Sequence, residues 1–595
     1  MTEKAFGEYF SRLAAGRPGS TPLPHPWQAE LAACARCTDR LIRIPTGFGK
    51  TLGVLAAWLW HGVERGDPGW PRRLVWCLPM RVLVEQTEHE VRTALDRVGR
   101  LWDGRGDHRG RVGVHRLMGG VDAGDWHLHP EHPAVLVGTQ DMLLSSALNR
   151  GYATPRARWP MVFGLLHQDC LWVMDEVQLM DTGFATSGQL QAFRNQDAAA
   201  GRQLRPCHSW WMSATLQRDW LAKSPETAGL AATVPGTSVP PAQRKGLLWE
   251  GVEKPLRIEA ASSTAEVAKR VAQAHHETGR GANGPSLVVV NTVRQAIELR
   301  AALARDRSLE GTDLRLVHSR FRPVERAAWR EAFLNREACS PGTDRIIVAT
   351  QVVEAGVDIS AGLLVTWLAP WPSLVQRFGR AARWGGRAQV IVLDPFADST
   401  PQGDGEAPKD PEKLQKAREK QALPYDLAAL DAARDALQRL GDASPMRLEA
   451  FEEANPSLLA ALYPYRVRHL LQRHEIDELF DTALDLSGAD IDIARFIRSG
   501  EDRDLQVFWA DIPQGARLPP EGIAPSRDAL CGVPCHEARE WLCGKETATS
   551  RAPRLREGRR AWVWDYLDAG WRVVERKDLY PGQTVLVAAD SGGYR

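Results

Sequence analysis

Two successive α/β units, each a parallel sheet between helices, followed by a mixed α+β region, form the fold class this sequence predicts. Short apolar runs that end in small or polar residues alternate with helical stretches from Leu41 to Thr215. The same alternation returns from Ser286 to Pro395, and helical periodicity gives way to strand-like runs beyond Tyr425. Only the first series carries a glycine-rich turn between a strand and a helix, in LIRIPTGFGKTLGVL (Leu41 to Leu55). These changes place a first unit at 1–245, a second at 246–398, a linker at 399–424 and a C-terminal accessory region at 425–595.

The glycine-rich turn is a candidate phosphate-binding loop. After Thr46, Gly47 and Gly49 let the backbone turn its N–H groups inward, and the N-terminus of the following helix adds partial positive charge. Lys50 can reach the β- and γ-phosphates and Thr51 can ligate Mg²⁺. The strict pattern wants glycine where Ile44 stands, so a plain turn before a core helix is the competing reading of the loop alone. Upstream, Gln28 sits at the start of a helix in PHPWQAELA, where its amide can both donate to and accept from an adenine edge.

The strand ends carry the remaining chemistry of the first unit. RLVWCLP, AVLVGT, CLWVMDE and SWWMSAT each end where ligands of a parallel sheet collect. At the third, Asp175 suits a Mg²⁺ carboxylate and Glu176 the acid that orients or deprotonates attacking water. Ser213 and Thr215 offer hydroxyls that can bridge this pair to a neighbouring domain. Arg81, Thr139 and Gln140 lie at other tips, placed to contact a nucleic-acid backbone, with solvated surface residues as the alternative. His127, His129 and His132 are read as punctuating a proline-containing loop, HLHPEHP, rather than as metal ligands.

The second series lacks a phosphate loop of its own. It offers Gly356 to Asp358 after a strand, then LVQRFGRAARWG with Gln376, Arg377, Arg380 and Arg383. Arg380 and Arg383 are three apart, so they share a helix face, and guanidinium suits charge developing in phosphoryl transfer. The expectation is a second nucleotide-binding-type fold that closes over ATP held by the first.

Composition narrows the classes. At 595 residues the chain exceeds one core and, at about 150 residues per domain, has room for three or four units. A net charge of +1 argues against tail-driven nucleic-acid binding and leaves a local basic channel open. Nine cysteines, an odd number, do not suit a disulfide framework. Cys34 and Cys37 form a C-x-x-C with no second pair at zinc-finger spacing, so buried or free thiols are expected. MTEKAFGEYF lacks a signal-peptide core and the longest apolar run, Thr51 to Trp60, is about half a membrane span, so a cytoplasmic protein without a membrane partner is expected. The 22 tryptophans are expected mostly in cores, with a minority free to stack on bases.

Gln28, TGFGKT, Asp175-Glu176, Ser213 to Thr215, Thr350 to Asp358 and Gln376 to Arg383 resemble, in order and spacing, the motif series of superfamily 2 helicases. DEVQLMD, WMSATL, LVHSRF, TQVVEAGVDIS and QRFGRAARWGG look like the CRISPR-associated helicase of type I systems, most like subtype G. The resemblance spans about residues 20 to 400. It implies tandem RecA-like domains, ATP and Mg²⁺ as cofactors, and 3′ to 5′ movement on single-stranded DNA, the non-target strand of an R-loop opened by a crRNA-guided surveillance complex. It makes Gly356 and Asp358 nucleotide-binding candidates, and His318, Arg320 and Thr350 candidates for DNA contact or coupling. Two departures stand out. Gln178 occupies the position of the usual histidine in the DExH box, and the chain contains no His-Asp dipeptide for the family's companion HD nuclease. That nuclease is expected in a separate chain or beyond residue 595; the second is favoured because TVLVAADSGGYR stops just after a strand. A superfamily 2 helicase of DNA repair or RNA metabolism and a nucleotide-gated DNA-binding scaffold are the rival readings; Lys50, Glu176, Arg380 and Arg383 speak against the scaffold.

In the C-terminal region, RRAWVWDYL, GWRVVER and QTVLVAA read as strands, and Trp562, Trp564 and Trp571 as core residues before base-stacking ones.

Overall fold

The computed structural model describes residues 3–15, 21–45, 47–102, 104, 108–119, 124–152, 154–261, 263–397, 411–481, 491–498, 504–545, 554–565 and 568–593. The chain divides into two compact units, Met1–Gly251 with Glu452–Gly500, and Val252–Phe451 with Glu501–Arg595.

The first unit is built on seven strands: β1 (Arg40–Arg43), β2 (Arg73–Leu78), β3 (Gly113–Leu117), β4 (Ala134–Thr139), β5 (Cys170–Asp175), β6 (Cys207–Ser213) and β7 (Gly236–Ser238). They lie in the order β3-β4-β2-β5-β6-β1-β7, and every pair is parallel. Helices cover both faces, so β2, β4 and β5 are buried at every position, which is why they read as unbroken apolar runs. The indoles of β5 and β6 are core groups with satisfied N–H donors. Trp172 donates to the Leu166 carbonyl, Trp210 to that of Thr38 and Trp211 to Ser187 Oγ.

The helix after the loop, Lys50–Trp58, continues as a π-helical turn, Leu59–Glu64. Among the described residues no helix is long and apolar enough to cross a membrane. Gly53 lets this helix meet the one at Pro26–Ala33: a Cβ there would lie 2.5 Å from Trp27 Cη2 and 2.8 Å from Gln28 Cγ. Trp27 is fully buried and has nowhere to move. Gly53→Ala is therefore expected to cost about 1–3 kcal/mol, read as a lower melting temperature; an unchanged melt would show that the two helices yield.

Residues 452–500 join this unit although they follow the second one in sequence. The reason is visible on the helix Thr182–Ala199, whose buried face includes Thr182, Thr186, Ser187, Gln189 and Gln191. A buried polar face needs partners. Gln189 pairs with the backbone of Leu471 through both ends of its amide (3.0 and 2.9 Å), and Thr186 Oγ1 donates to the Phe496 carbonyl (2.5 Å). Arg498 adds two bonds to Asp141 (2.6 and 2.7 Å) and one to the Pro79 carbonyl.

The second unit holds β8 (Val252–Glu253), β9 (Leu256–Ala260), β10 (Ser286–Val289), β11 (Asp313–Val317), β12 (Arg345–Ala349), β13 (Leu363–Trp367), β14 (Gly386–Arg387) and β15 (Gln389–Asp394). Six of them form a parallel sheet, β11-β12-β10-β13-β15-β9, and β14 pairs with β8. A further mixed sheet follows, with β16 (Asp504–Ala510), β17 (Cys531–Pro534), β18 (Ala561–Asp565), β19 (Gly570–Val573) and β20 (Thr584–Ala588) in the order β17-β16-β20-β18-β19. Only β16 and β20 are parallel there. Trp562 is buried and donates to the Arg517 carbonyl, and Trp564 packs edge-on against Trp571 (5.3 Å).

Composition and structure differ in two places. The stretch 399–424 reads as a linker, yet Pro411–Ala422 is a helix, because PEKLQKAREKQA is made of strong helix formers despite its polarity; residues 399–410 lie outside those described. The stretch 425–595 reads as one region, yet its parts 425–451, 452–500 and 501–595 belong to alternating units. Tertiary partners such as Gln189 and Asp141, which composition does not register, decide that division.

Candidate active site

In the first unit the tips of β1, β5 and β6 are neighbours, because β6 lies between the other two. The Ile44 N–H donates to the Ser213 carbonyl (3.2 Å), joining the start of the loop to the end of β6. Thr46 lies outside the described residues. Gly47 and Gly49 both take positive φ (+93° and +68°), the left-handed backbone that a side chain resists. The loop is braced from behind: Trp27 Nε1 donates to the Phe48 carbonyl (3.2 Å) and Gln28 Nε2 to that of Gly49 (2.9 Å). Gln28 Oε1 accepts from the His25 N–H (2.8 Å), so this buried amide is engaged at both ends.

From the loop a continuous line of polar contacts crosses the sheet edge. Lys50 Nζ is 3.1 Å from Glu176 Oε1; Gln178 Nε2 donates to Glu176 Oε2 (2.6 Å); Ser213 Oγ donates to Gln178 Oε1 (2.6 Å). Thr215 closes it, with its N–H on Ser213 Oγ (3.0 Å) and its hydroxyl 3.3 Å away. Glu176 sits at φ +54°, unusual for a residue with a side chain, and its N–H donates to Asp175 Oδ1 (2.9 Å). Asp175 is buried, and Trp76 Nε1 donates to its Oδ2 (3.2 Å). Burial, and then the Glu176 charge beside it, push the Asp175 carboxyl up to about 7.

Thr51 is half-buried in the first turn of the helix. Arg81 is exposed at the start of the helix Arg81–Arg97, after β2. Thr139 is buried, preceding the helix Gln140–Ala147, and Gln140 Nε2 reaches the Ile497 carbonyl (3.4 Å).

The second unit gathers a separate set. Arg380 is buried, and its two terminal nitrogens donate to the carbonyls of Val357 (2.7 Å) and Glu354 (2.6 Å), which fixes the loop containing Gly356 (φ +74°). Arg383 pairs at the surface with Asp358 (3.0 Å). Gln376 Oε1 is buried without a hydrogen-bond partner. Arg377 is fully buried on Glu354 (2.8 Å), Asn291, Thr366 and Tyr425. Thr350 is buried before the turn Gln351–Val353. His318 is held neutral, its pKa pulled down to about 4 by burial and then by Arg320. Arg320 makes two bonds to Glu537 (2.5 and 2.7 Å) on the helix Cys535–Cys543.

Trp76, Trp27 and Glu354 escaped sequence reasoning. Trp76 stands inside an apolar run, and only the pairing of β2 with β5 brings its N–H to Asp175. Glu354 lies within TQVVEAGVDIS, where a lone acid after a strand gives no sign of its arginine partner.

Comparison with known proteins fits this geometry. Residues 26–223 match the DEAD/DEAH box helicase family, and residues 282–385 the C-terminal family of the CRISPR-associated nuclease/helicase Cas3. The CRISPR-associated helicase Cas3 of Thermoproteus tenax is 26% identical over 435 residues, 69% of this chain and 64% of that protein. A CRISPR-associated nuclease/helicase Cas3 of Streptococcus thermophilus is 39% identical over 101 residues, 16% of this chain and 10% of its own length. The chain thus spans less than two thirds of the length of these relatives. In fold it is similar to T. fusca Cas3 crystallised with AMPPNP, with a TM-score of 0.60 at 17% identity over 98% of this chain and 69% of that one. The helicase MrfA bound to DNA superposes with a TM-score of 0.55 at 14% identity, covering 96% of this chain and 69% of that one. Fold and motif line resemble those of superfamily 2 helicases, and the two parallel-sheet units are RecA-like. Within that class the chain is similar to the CRISPR-associated helicases of the Cas3 type.

Proposed function

We propose that this chain is the motor of type I CRISPR interference, of the subtype G kind. In this reading it is an ATP-driven 3′ to 5′ translocase on the displaced single strand of an R-loop in the cytoplasm. A crRNA-guided surveillance complex recruits it, and an HD nuclease outside residues 1–595 degrades what it unwinds. The observation that carries the reading is the line Lys50–Glu176–Gln178–Ser213–Thr215. A binding module needs only the loop; a motor needs the hydrolytic acid tied to a neighbouring strand tip, so that a change at phosphate is felt elsewhere.

The roles follow from the chemistry of each group. Gly47, Gly49 and Lys50 receive the triphosphate, and Gln28 holds the loop in shape beside the base. Glu176 takes the proton of the attacking water, and Lys50, 3.1 Å from it, is placed to reach the phosphate oxygens. Thr51 and Asp175 would hold a magnesium ion, which neutralises charge on the phosphates when bound. The donor set fits: a hydroxyl and a carboxylate are the hard oxygen ligands magnesium takes, and the Asp175 carboxyl is buried beside Glu176. Arg380 and Arg383 serve the charge that develops on the transferred phosphoryl group. Arg81, Thr139, His318, Arg320 and Thr350 are assigned to strand contact or coupling.

Gln178 passes a hydrogen bond from Ser213 to Glu176 without a titrating group, so coupling should not depend on a local protonation. ATP turnover is expected to rise with single-stranded DNA and much less with RNA, and Gln178→Ala to lower the stimulated rate more than the basal one. Binding should weaken steeply with salt and vary little with base sequence. Equal stimulation by RNA would move the protein to RNA metabolism, and lack of stimulation by either polymer would leave a scaffold.

A further inference from the structure

Among the described residues, His129, Glu131 and His132 bring one metal-ligating atom each to within 4.8 Å of the others. Sequence spacing alone reads them as loop punctuation; the backbone makes them a built turn. The His132 N–H donates to the His129 carbonyl (3.1 Å), leaving Pro130 and Glu131 at the corners. Proline presets φ at the first corner, so the turn is held before any ligand arrives. The rings of His129 and His132 stack with centroids 5.2 Å apart. Glu131 Oε1 lies 3.2 Å from His132 Nε2 and 3.8 Å from His129 Nδ1. Both flanks are tied to the sheet: Arg73 Nη1 donates to the Pro130 carbonyl (2.9 Å) and the Gly113 N–H to that of Pro133 (3.1 Å).

Two further observations point to a ligand. His108, from the strand-connecting segment before β3, places its ring centroid 3.6 Å from that of His132, and His108, His129 and His132 line one cavity of about 250 Å³. His132 Nδ1 is buried without a hydrogen-bond partner. His127 is the histidine of the loop that stands apart, 3.4 Å from Arg158.

We propose that this turn, with His108 packed against His132 behind it, binds a divalent cation of the zinc type and pins the edge of the first sheet. Imidazole and carboxylate donors are those zinc takes. The group precedes β3 and β4, at the ends of the strands opposite to Glu176 and Ser213, so the role is structural. The test uses the untagged full chain stripped by chelator, titrated with Zn²⁺ by calorimetry and followed by thermal melting. One equivalent is expected to bind and raise the melting temperature, with ATP turnover unchanged. His129→Ala and His132→Ala should abolish that equivalent, and His108→Ala should weaken it by about 10–100-fold. Glu131 is well exposed, so Glu131→Gln is safe for folding and should weaken binding too. Failure to bind Zn²⁺, or affinity unchanged across these variants as thiols such as Cys34 and Cys37 would give, overturns the proposal.

Discussion

Glu176→Gln is expected to keep nucleotide binding and to lower ATP turnover by about 10²–10⁴-fold, the span a positioned general base contributes. The substitution keeps the size of the side chain and removes its capacity to accept a proton. The acid is poised in place: its backbone is held at φ +54°, its N–H rests on Asp175, and its two oxygens face Lys50 and Gln178. Without the carboxylate charge, Lys50 loses its 3.1 Å ion-pair partner and is the freer to meet a triphosphate, so affinity should hold or rise. Equilibrium binding of a non-hydrolysable analogue, set against single-turnover hydrolysis, separates the two effects. Normal hydrolysis would remove Glu176 from the base role, and a parallel loss of binding would make it a scaffold for the loop instead.

The parts of this molecule that sequence discloses are those where one residue type serves a local need. Gly47 and Gly49 announce themselves because only glycine takes their backbone without strain, and β2, β4 and β5 because a doubly covered strand must be apolar throughout. What stayed hidden depends on groups that meet only after folding. The buried polar face of Thr182–Ala199 looks like a solvated helix until Leu471 and Phe496 supply its partners. Trp76 looks like any core indole until β2 pairs with β5. The same holds for Arg377, Arg380 and Arg383, which look alike along the chain: the helix ends at Phe378, so Arg380 and Arg383 lie beyond it rather than on one helix face, and Arg377 and Arg380 are buried while Arg383 is half-buried at the surface.

That difference makes Arg383→Ala the sharper probe of the second set, with turnover expected to fall by about 10³-fold or more if the residue acts as an arginine finger. Its guanidinium forms an exposed pair with Asp358, an interaction worth about 0–1 kcal/mol, so it can leave that partner for a phosphate at little cost. Its removal should leave the melting temperature unchanged. Arg380 is differently placed, since its nitrogens satisfy the carbonyls of Glu354 and Val357. Arg380→Ala strands those acceptors at about 1–3 kcal/mol each, so it should lose stability as well as activity. Melting curves beside kcat at saturating ATP distinguish the outcomes. A drop of only a few fold in Arg383→Ala removes that residue from the reaction, and activity lost strictly in step with stability in both variants would reduce the pair to the packing of one loop.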